Sequence, residues 1–471
     1  MNYVSTRGRA ARLDFESVLL AGLARDNGLY VPDTWPNFAL HEIAELGGMS
    51  YVDAASRVMQ PFVEGSLPAE EFHSLIAAAY GGFAHEAKVP LVQLDANLWV
   101  LELFHGPTLA FKDLAMQLLG RLMDRSLTRS GERATILAAT SGDTGAAAVE
   151  AFKNREAIDL FVLFPDGRIS EIQRRQMTTS GAANVHPIAV QGTFDDCQAI
   201  VKTLFGDLNF RDEAQLSAVN SINWARIMAQ IVYYFTASAS LGGPHRPMRF
   251  SVPTGNFGDI FAGYAALRMG LPVEKLIIAT NTNDILARTL ATGRYEPRGV
   301  VHTSSPSMDI QVSSNFERLI FEVSGRDSER VNALMNEFRE NGSFALTEAE
   351  LAAIREIFSA HRADEAETAK TMRQVYQTTG YLADPHTAVG LAAAKRELHE
   401  SGSPMIVLAT AHPAKFPDAV ADATGHKAEP PERLQSILAG AEDHLTVEPA
   451  AEMVRAVIRD RGRFAQPRNF S

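Results

Sequence analysis

Lys112 stands in the setting with the most chemical promise in this chain. It lies in FHGPTLAFKD (Phe104 to Asp113), where a Gly-Pro turn and a short apolar run bring a lysine to the start of a helix. Flanked by Phe111, Leu114 and Ala115, its amine is expected to be desolvated, which lowers a lysine pKa toward that of a working nucleophile and base. The competing reading is a surface lysine with its stem laid over apolar neighbours, the usual state of this residue type. A second pattern occurs three times: an apolar run enters a turn of Gly, Ser, Thr or Asn and then a helix. ATILAAT leads into Ser141-Gly142-Asp143-Thr144-Gly145, RFSVP into Thr254-Gly255-Asn256-Phe257-Gly258-Asp259, and MIVLA into Thr410-Ala411-His412-Pro413. PTGNFGD is the best phosphate candidate, because glycines clear the approach path and expose N–H groups at a helix start. An ordinary tight turn uses the same residues. The hydroxyls and glycines of Ser141 to Gly145 suit a carboxylate or phosphate, against which the acidic Asp143 counts.

These residues need a scaffold, and the apolar periodicity supplies one. Strands are expected at Ala134–Thr140, Leu160–Phe164, Val185–Val190, Arg249–Val252, Leu276–Thr280 and Met405–Ala409, with helices at Ala146–Lys153, Phe194–Phe205, Trp224–Ala239 and Ile260–Met269 between them. Buried strands alternating with amphipathic helices signal an α/β fold of open, mostly parallel sheets flanked by helices. In such sheets the carboxyl ends of the strands border the binding crevice, which is where the three turns fall. The first 95 or so residues read instead as short helices (Val18–Arg25, His41–Glu45, Tyr51–Met59, Ala69–Tyr80) with no strand-rich core. Residues 326–375 read as a charged helical insertion packed on one face.

Composition narrows the ligand. The chain has 471 residues, 46% hydrophobic and 21% charged, enough for two to four domains with sizeable cores. A formal net charge of −12 disfavours nucleic acid and anionic membrane and leaves room for a local basic pocket, so a small-molecule ligand is expected. The single cysteine, Cys197, excludes an intramolecular disulfide and a cysteine-based zinc site, suits a reducing compartment, and is expected as a buried free thiol. The charged N-terminus lacks the apolar core of a signal peptide, and the longest charge-free stretch, Ile227 to Pro244, is too polar to span a membrane. Asn341-Gly342-Ser343 and Asn469-Phe470-Ser471 match the glycosylation pattern, by chance if the chain is not exported. GxxxxGK[ST], HExxH, GxSxG and a strand-to-helix GxGxxG are all missing.

In combination, FHGPTLAFKD, ATSGDTG, PTGNFGD, SPSMDI with SSNFER, and TAHPAKF resemble, in this order, the threonine synthase family, as do the opening MNYVSTRG and GLYVP. The resemblance is to the longer bacterial and fungal type and covers most of the chain. It implies the tryptophan-synthase-β-like fold, with an N-terminal family domain over residues 1–95 and a catalytic region of two subdomains over 96–471. It also implies pyridoxal 5'-phosphate as cofactor, no metal, and conversion of O-phospho-L-homoserine and water into L-threonine and phosphate. Lys112 would carry the cofactor and act as acid and base. Gly255, Asn256, Phe257, Gly258 and Asp259 would surround its phosphate, and Thr410 would meet its ring nitrogen. Asn220, Ser221 and Arg226, with Ser141 and Thr144 nearby, would hold the substrate phosphate, a structural ion pair being the alternative for Arg226. His386, in Asp384-Pro385-His386-Thr387, is either an acid-base group or a satisfied structural histidine. A cytoplasmic monomer is expected, as for the family's longer members, with the dimer of related plant enzymes as the alternative. A lyase of the same fold that releases a keto acid is the nearest rival activity.

Overall fold

The computed structural model describes residues 1–399 and 401–464, so the second glycosylation-pattern tripeptide lies outside the described residues. The chain divides into two compact units. The first comprises Met1–Val18, Leu23–Phe111 and Ser221–Ala428. Its six-stranded sheet runs in the order Phe358–Arg362, Val273–Thr280, Met248–Pro253, Met405–Ala409, Leu98–Glu102, Leu91–Asp95. All neighbours are parallel except the last pair, a hairpin. Met248–Pro253 and Met405–Ala409 are buried at every position, which is what continuous apolar runs require when both faces of a parallel strand are covered. The helix Pro385–Glu397 packs on these strands. The buried Arg249 caps its C-terminal end, donating to the carbonyls of Glu397 at 2.7 Å and Leu398 at 3.2 Å, and Ser251 Oγ donates to Gly390 O at 2.7 Å.

The N-terminal residues form helices Leu40–Glu45, Tyr51–Val63 and Ala69–Tyr80, as the periodicity predicts. The first helix instead spans Phe15–Ala21, and two short strands the sequence did not signal, Tyr3–Ser5 and Tyr30–Pro32, pair antiparallel. Their anchor is Trp224 at the start of the buried helix Trp224–Ser240. Its ring lies 5.9 Å from Tyr3, 6.0 Å from Trp35 and 5.6 Å from Phe62. Residues 326–375 require a correction. Helices Ser328–Asn341, Glu348–Ile357 and Glu365–Thr379 are there, but Phe358–Arg362 between them is a strand that extends the sheet, Leu276 opposite Phe358 and Thr280 opposite Arg362. Edge strands need only one partner, and the brief alternation of FSAHR is too short to stand out between two helical segments.

The second unit comprises Leu19–Gly22, Lys112–Asn220 and the stretch from Glu429. Its five strands are all parallel, in the order Leu445–Val447, Val185–Val190, Ile158–Pro165, Ala134–Ala139, Leu216–Ser217. Ile158–Pro165 is buried along its whole length. Helices Lys112–Ser130 and Asp143–Phe152 pack against each other, and Phe194–Gly206 closes a core with Ile188, Val190, Ile200 and Leu204 around Cys197. Burial pushes the Cys197 thiol up to about 12. At pH 8 its thiolate fraction is then on the order of 1 in 10,000, against about 1 in 4 for an unperturbed cysteine. Thiol-directed alkylation of the native chain at pH 8 is therefore expected to be negligible, with one thiol released on unfolding in denaturant; prompt labelling of the native chain would contradict this packing.

Candidate active site

In the first unit, Met248–Pro253 and Met405–Ala409 are parallel neighbours, so the turns that follow them emerge side by side at the carboxyl edge of the sheet. The first turn ends at Phe257, a bulky residue held at φ 63. Such a left-handed conformation costs roughly 1–2 kcal/mol, offset by burial of its ring against Phe316 at 5.4 Å and Phe358 at 5.7 Å. The helix Gly258–Arg268 begins at the next residue, leaving its first-turn N–H groups at the turn. Asp259 uses a carboxylate oxygen on the N–H of Ile260 at 2.8 Å, so part of its side chain serves the helix start itself.

Three other motifs buttress this turn. Ser313 Oγ donates to Gly255 O at 2.7 Å, and Asn315 donates to Asn256 O from its backbone and its side chain, both at 3.0 Å. A β-carbon on Gly255 would lie 2.8 Å from Ser307 O and 3.0 Å from Ile310 Cδ1. Ser307 N–H in turn donates to His386 Nε2 at 3.2 Å, while the other ring nitrogen of His386 meets Asp384 Oδ1 at 2.8 Å. With both nitrogens engaged, His386 holds the loop of SPSMDI. In the second turn, Thr410 O accepts from Phe111 N–H at 2.8 Å, His412 N–H donates to Leu109 O at 3.0 Å, and the buried Lys415 Nζ donates to Thr108 O at 2.9 Å. The segment leading to Lys112 is thus bound to the Thr410 turn up to Phe111, with Leu109 at φ 62.

Ser221 is close to the first turn: its carbonyl accepts from Asn315 Nδ2 at 3.2 Å. Arg226, in the first turn of Trp224–Ser240, is 4% exposed, and its Nε has no hydrogen-bond partner among the described residues. Desolvation alone lowers its pKa, to about 10, which leaves it charged at neutral pH. The structural ion pair that was its alternative does not occur among the described residues. A buried cation left without an anion costs several kcal/mol, a cost that a bound anion removes.

In the second unit, Lys112 opens the helix Lys112–Ser130 and is buried. It faces a carboxylate: Asp143 Oδ2 lies 3.5 Å from Nζ. Asp143 is itself buried and accepts from Gln173 Nε2 at 2.9 Å. Its turn is held by Thr140 Oγ1, which accepts from Gly142 N–H at 2.9 Å and Gly145 N–H at 2.8 Å. Ser141 and Asn220 are exposed and Thr144 is half-buried. Sequence reasoning treated Asp143 only as an objection to anion binding. The signal it passed over was Lys112 itself, since a charged lysine buried in apolar surroundings calls for an acidic neighbour.

Family models agree with the order of these motifs. A model described as Threonine synthase N terminus matches residues 2–80, one described as Pyridoxal-phosphate dependent enzyme matches residues 83–337, and one described as Threonine synthase, C-terminal matches residues 387–458. The threonine synthase of Pseudomonas aeruginosa is 50% identical over 469 residues, 99% of this chain and 100% of its own. The chain belongs to the threonine synthase family. Among solved structures, PLP-bound threonine synthase from Brucella melitensis matches with a TM-score of 0.96 at 56% identity, covering 98% of this chain and 100% of that one. Threonine synthase from yeast matches with a TM-score of 0.93 at 39% identity, covering 98% of each.

The residues present fit pyridoxal phosphate. Its aldehyde needs a buried primary amine, which Lys112 has, and its phosphate needs N–H groups on an open approach. Gly258 supplies a specific indication of the second. A β-carbon there would meet nothing closer than Asn315 Nδ2 at 3.4 Å, so the chain's own packing does not explain the missing side chain. Gly255→Ala is expected to lose about 1–3 kcal/mol of stability, because a backbone carbonyl blocks the added carbon. Gly258→Ala should stay within about 1 kcal/mol of the parent, and denaturant midpoints compare the two directly. Equal losses would mean that packing, and no ligand, dictates both glycines.

Proposed function

We propose that this chain converts O-phospho-L-homoserine and water into L-threonine and phosphate, with pyridoxal 5'-phosphate carried on Lys112. The observation that carries the choice of substrate is Arg226, a buried guanidinium with no anion beside it among the described residues. When bound, the cofactor supplies an electron sink for the negative charge that develops when the Cα proton leaves. Lys112 Nζ takes and returns protons at the substrate carbons, as a lysine amine can once it is released from its carbonyl partner. Gly255, Asn256, Phe257, Gly258 and Asp259 receive the cofactor phosphate at the helix start, and Thr410 offers a neutral hydroxyl to the ring nitrogen. A neutral hydroxyl does not hold a proton there as a carboxylate does. Arg226 with Ser221 and Asn220 grips the substrate phosphate, with Ser141 and Thr144 as further hydroxyl donors. Binding energy from that remote dianion fixes Cα and Cβ for reaction, so homoserine is expected to be a poor substrate. The chain acts as a cytoplasmic monomer on this reading, which a solution mass measurement addresses.

Incubation with O-phospho-L-homoserine should release phosphate and threonine in equal amounts. Release of phosphate with a keto acid and no threonine would favour the rival lyase. Borohydride should fix the cofactor on Lys112, as read by peptide mapping. Arg226→Met is expected to lower kcat/KM for phosphohomoserine on the order of 100-fold or more while leaving stability unchanged or raised, since it removes a buried unpaired charge. Near-normal kcat/KM in that variant would move the substrate phosphate to other residues, the Ser141 to Thr144 turn first.

A further inference from the structure

The second unit places one carboxylate beside Lys112 and holds it there by several independent means. Asp143 opens the helix Asp143–Phe152, which packs along the helix that Lys112 opens. Its Oδ2 lies 3.5 Å from Nζ, within ion-pair distance. Its Oδ1 is occupied by Gln173 Nε2 at 2.9 Å. The orientation of Gln173 is fixed in turn, because its Oε1 accepts from Ser170 N–H at 3.3 Å in the capping box of helix Glu171–Thr178. Gly142 makes the arrangement possible. At φ 137 it adopts a conformation that side chains resist, and a β-carbon on it would sit 2.3 Å from Gln173 Cδ.

We infer that Asp143, oriented by Gln173 across the bare backbone of Gly142, is a positioning residue that holds and stabilises the ammonium form of Lys112 whenever its amine is free. The inference rests on the reading of Lys112 as the acid and base. In the proton balance, the Nζ lone pair takes the proton leaving a substrate carbon, the resulting ammonium stands opposite the carboxylate, and the same proton goes back to carbon from Nζ. Asp143 stays ionised throughout. An opposite charge at this distance favours the ammonium form, making Lys112 a stronger base than burial alone allows. The other charges of this unit near the two helices have partners of their own. The fully buried Asp113 next to Lys112 interacts with the desolvated Arg433. Arg174 and Arg175 pair with Glu442 and Glu171. Arg121, further along the helix, is lowered to about 10 by burial, with Arg155 and Glu150 as its charged neighbours.

The test uses the full chain freed of cofactor with hydroxylamine. Lysines are labelled with a small amine-acylating reagent across a pH series, and Lys112 is quantified by peptide mass spectrometry. In Asp143→Asn the labelling midpoint of Lys112 should fall by about 1–2 pH units, so that labelling below the midpoint is about 10- to 100-fold faster. The acid limb of kcat in the reloaded enzyme should move to lower pH in step, because the amine released in the substrate complex loses its anionic partner. Gln173→Leu, which keeps the carboxylate but frees it, should move both in the same direction by less, and it carries the test if Asp143→Asn does not fold. An unmoved Lys112 midpoint in a folded variant overturns the inference, whatever happens to turnover. Failure of the parent enzyme to form threonine would sink the functional reading instead, leaving the Lys112 midpoint measurable on its own.

Discussion

One fully buried side-chain amide, that of Asn315, ties together the parts of the first unit on which the site depends. Its Nδ2 donates to Asn256 O at 3.0 Å and Ser221 O at 3.2 Å, and its Oδ1 accepts from Arg318 Nη1. Arg318 carries the linkage outward, donating to Ile222 O at 2.7 Å and twice to Tyr30 O at 3.0 Å. The glycine turn, the Ser221 segment and the N-terminal strand Tyr30–Pro32 therefore hang on adjacent side chains of SSNFER. No single substitution reproduces this, because it takes two donors and one acceptor on a short rigid stem. An amide network of this kind specifies one arrangement because every alternative leaves a buried polar group unsatisfied.

The buried cations separate scaffold from chemistry. Arg318 is wholly buried and pushed down to about 9 by desolvation, yet its N–H groups end on carbonyls and an amide. Such a group is spent on structure. Arg249 is likewise spent, on the end of the helix Pro385–Glu397. Arg226 is buried to a similar degree and has no such partners among the described residues, so its desolvation goes uncompensated there. Lys112 is a third case, buried with a carboxylate 3.5 Å away. Burial alone would have assigned these residues one role; what each guanidinium or ammonium touches divides them.

How far the sequence could be read follows from where the information lies. Val185–Val190, Met405–Ala409 and the helix Ala69–Tyr80 coincide with their expected bounds, since strands covered on both faces and a well-marked amphipathic helix display their burial in composition. Leu216–Ser217, Leu445–Val447 and Phe358–Arg362 were not expected, because short edge strands owe their conformation to one neighbour and leave little local trace. The motif residues were legible largely through the family resemblance, and their roles were not. Asp143 read as repulsive to a ligand until a tertiary contact set it beside Lys112. The contact of His386 with Ser307, far from it in the chain, was likewise a matter of tertiary structure.

The electrostatics of the whole chain and of the site point in opposite directions. A net charge of −12 repels a dianionic substrate at long range, but at physiological ionic strength that repulsion fades beyond about 8 Å. What remains at contact is the local field, and a guanidinium 4% exposed in a surrounding of low polarizability acts with little screening. Attraction is thereby confined to the last few ångströms of approach, where shape and hydrogen bonding already discriminate. Surface arginines would draw any phosphate in solution and hold none of them in register. On the role proposed for Arg226, burying the charge gives up long-range steering and gains selection at the point of binding, because a bound anion relieves the desolvation of the guanidinium.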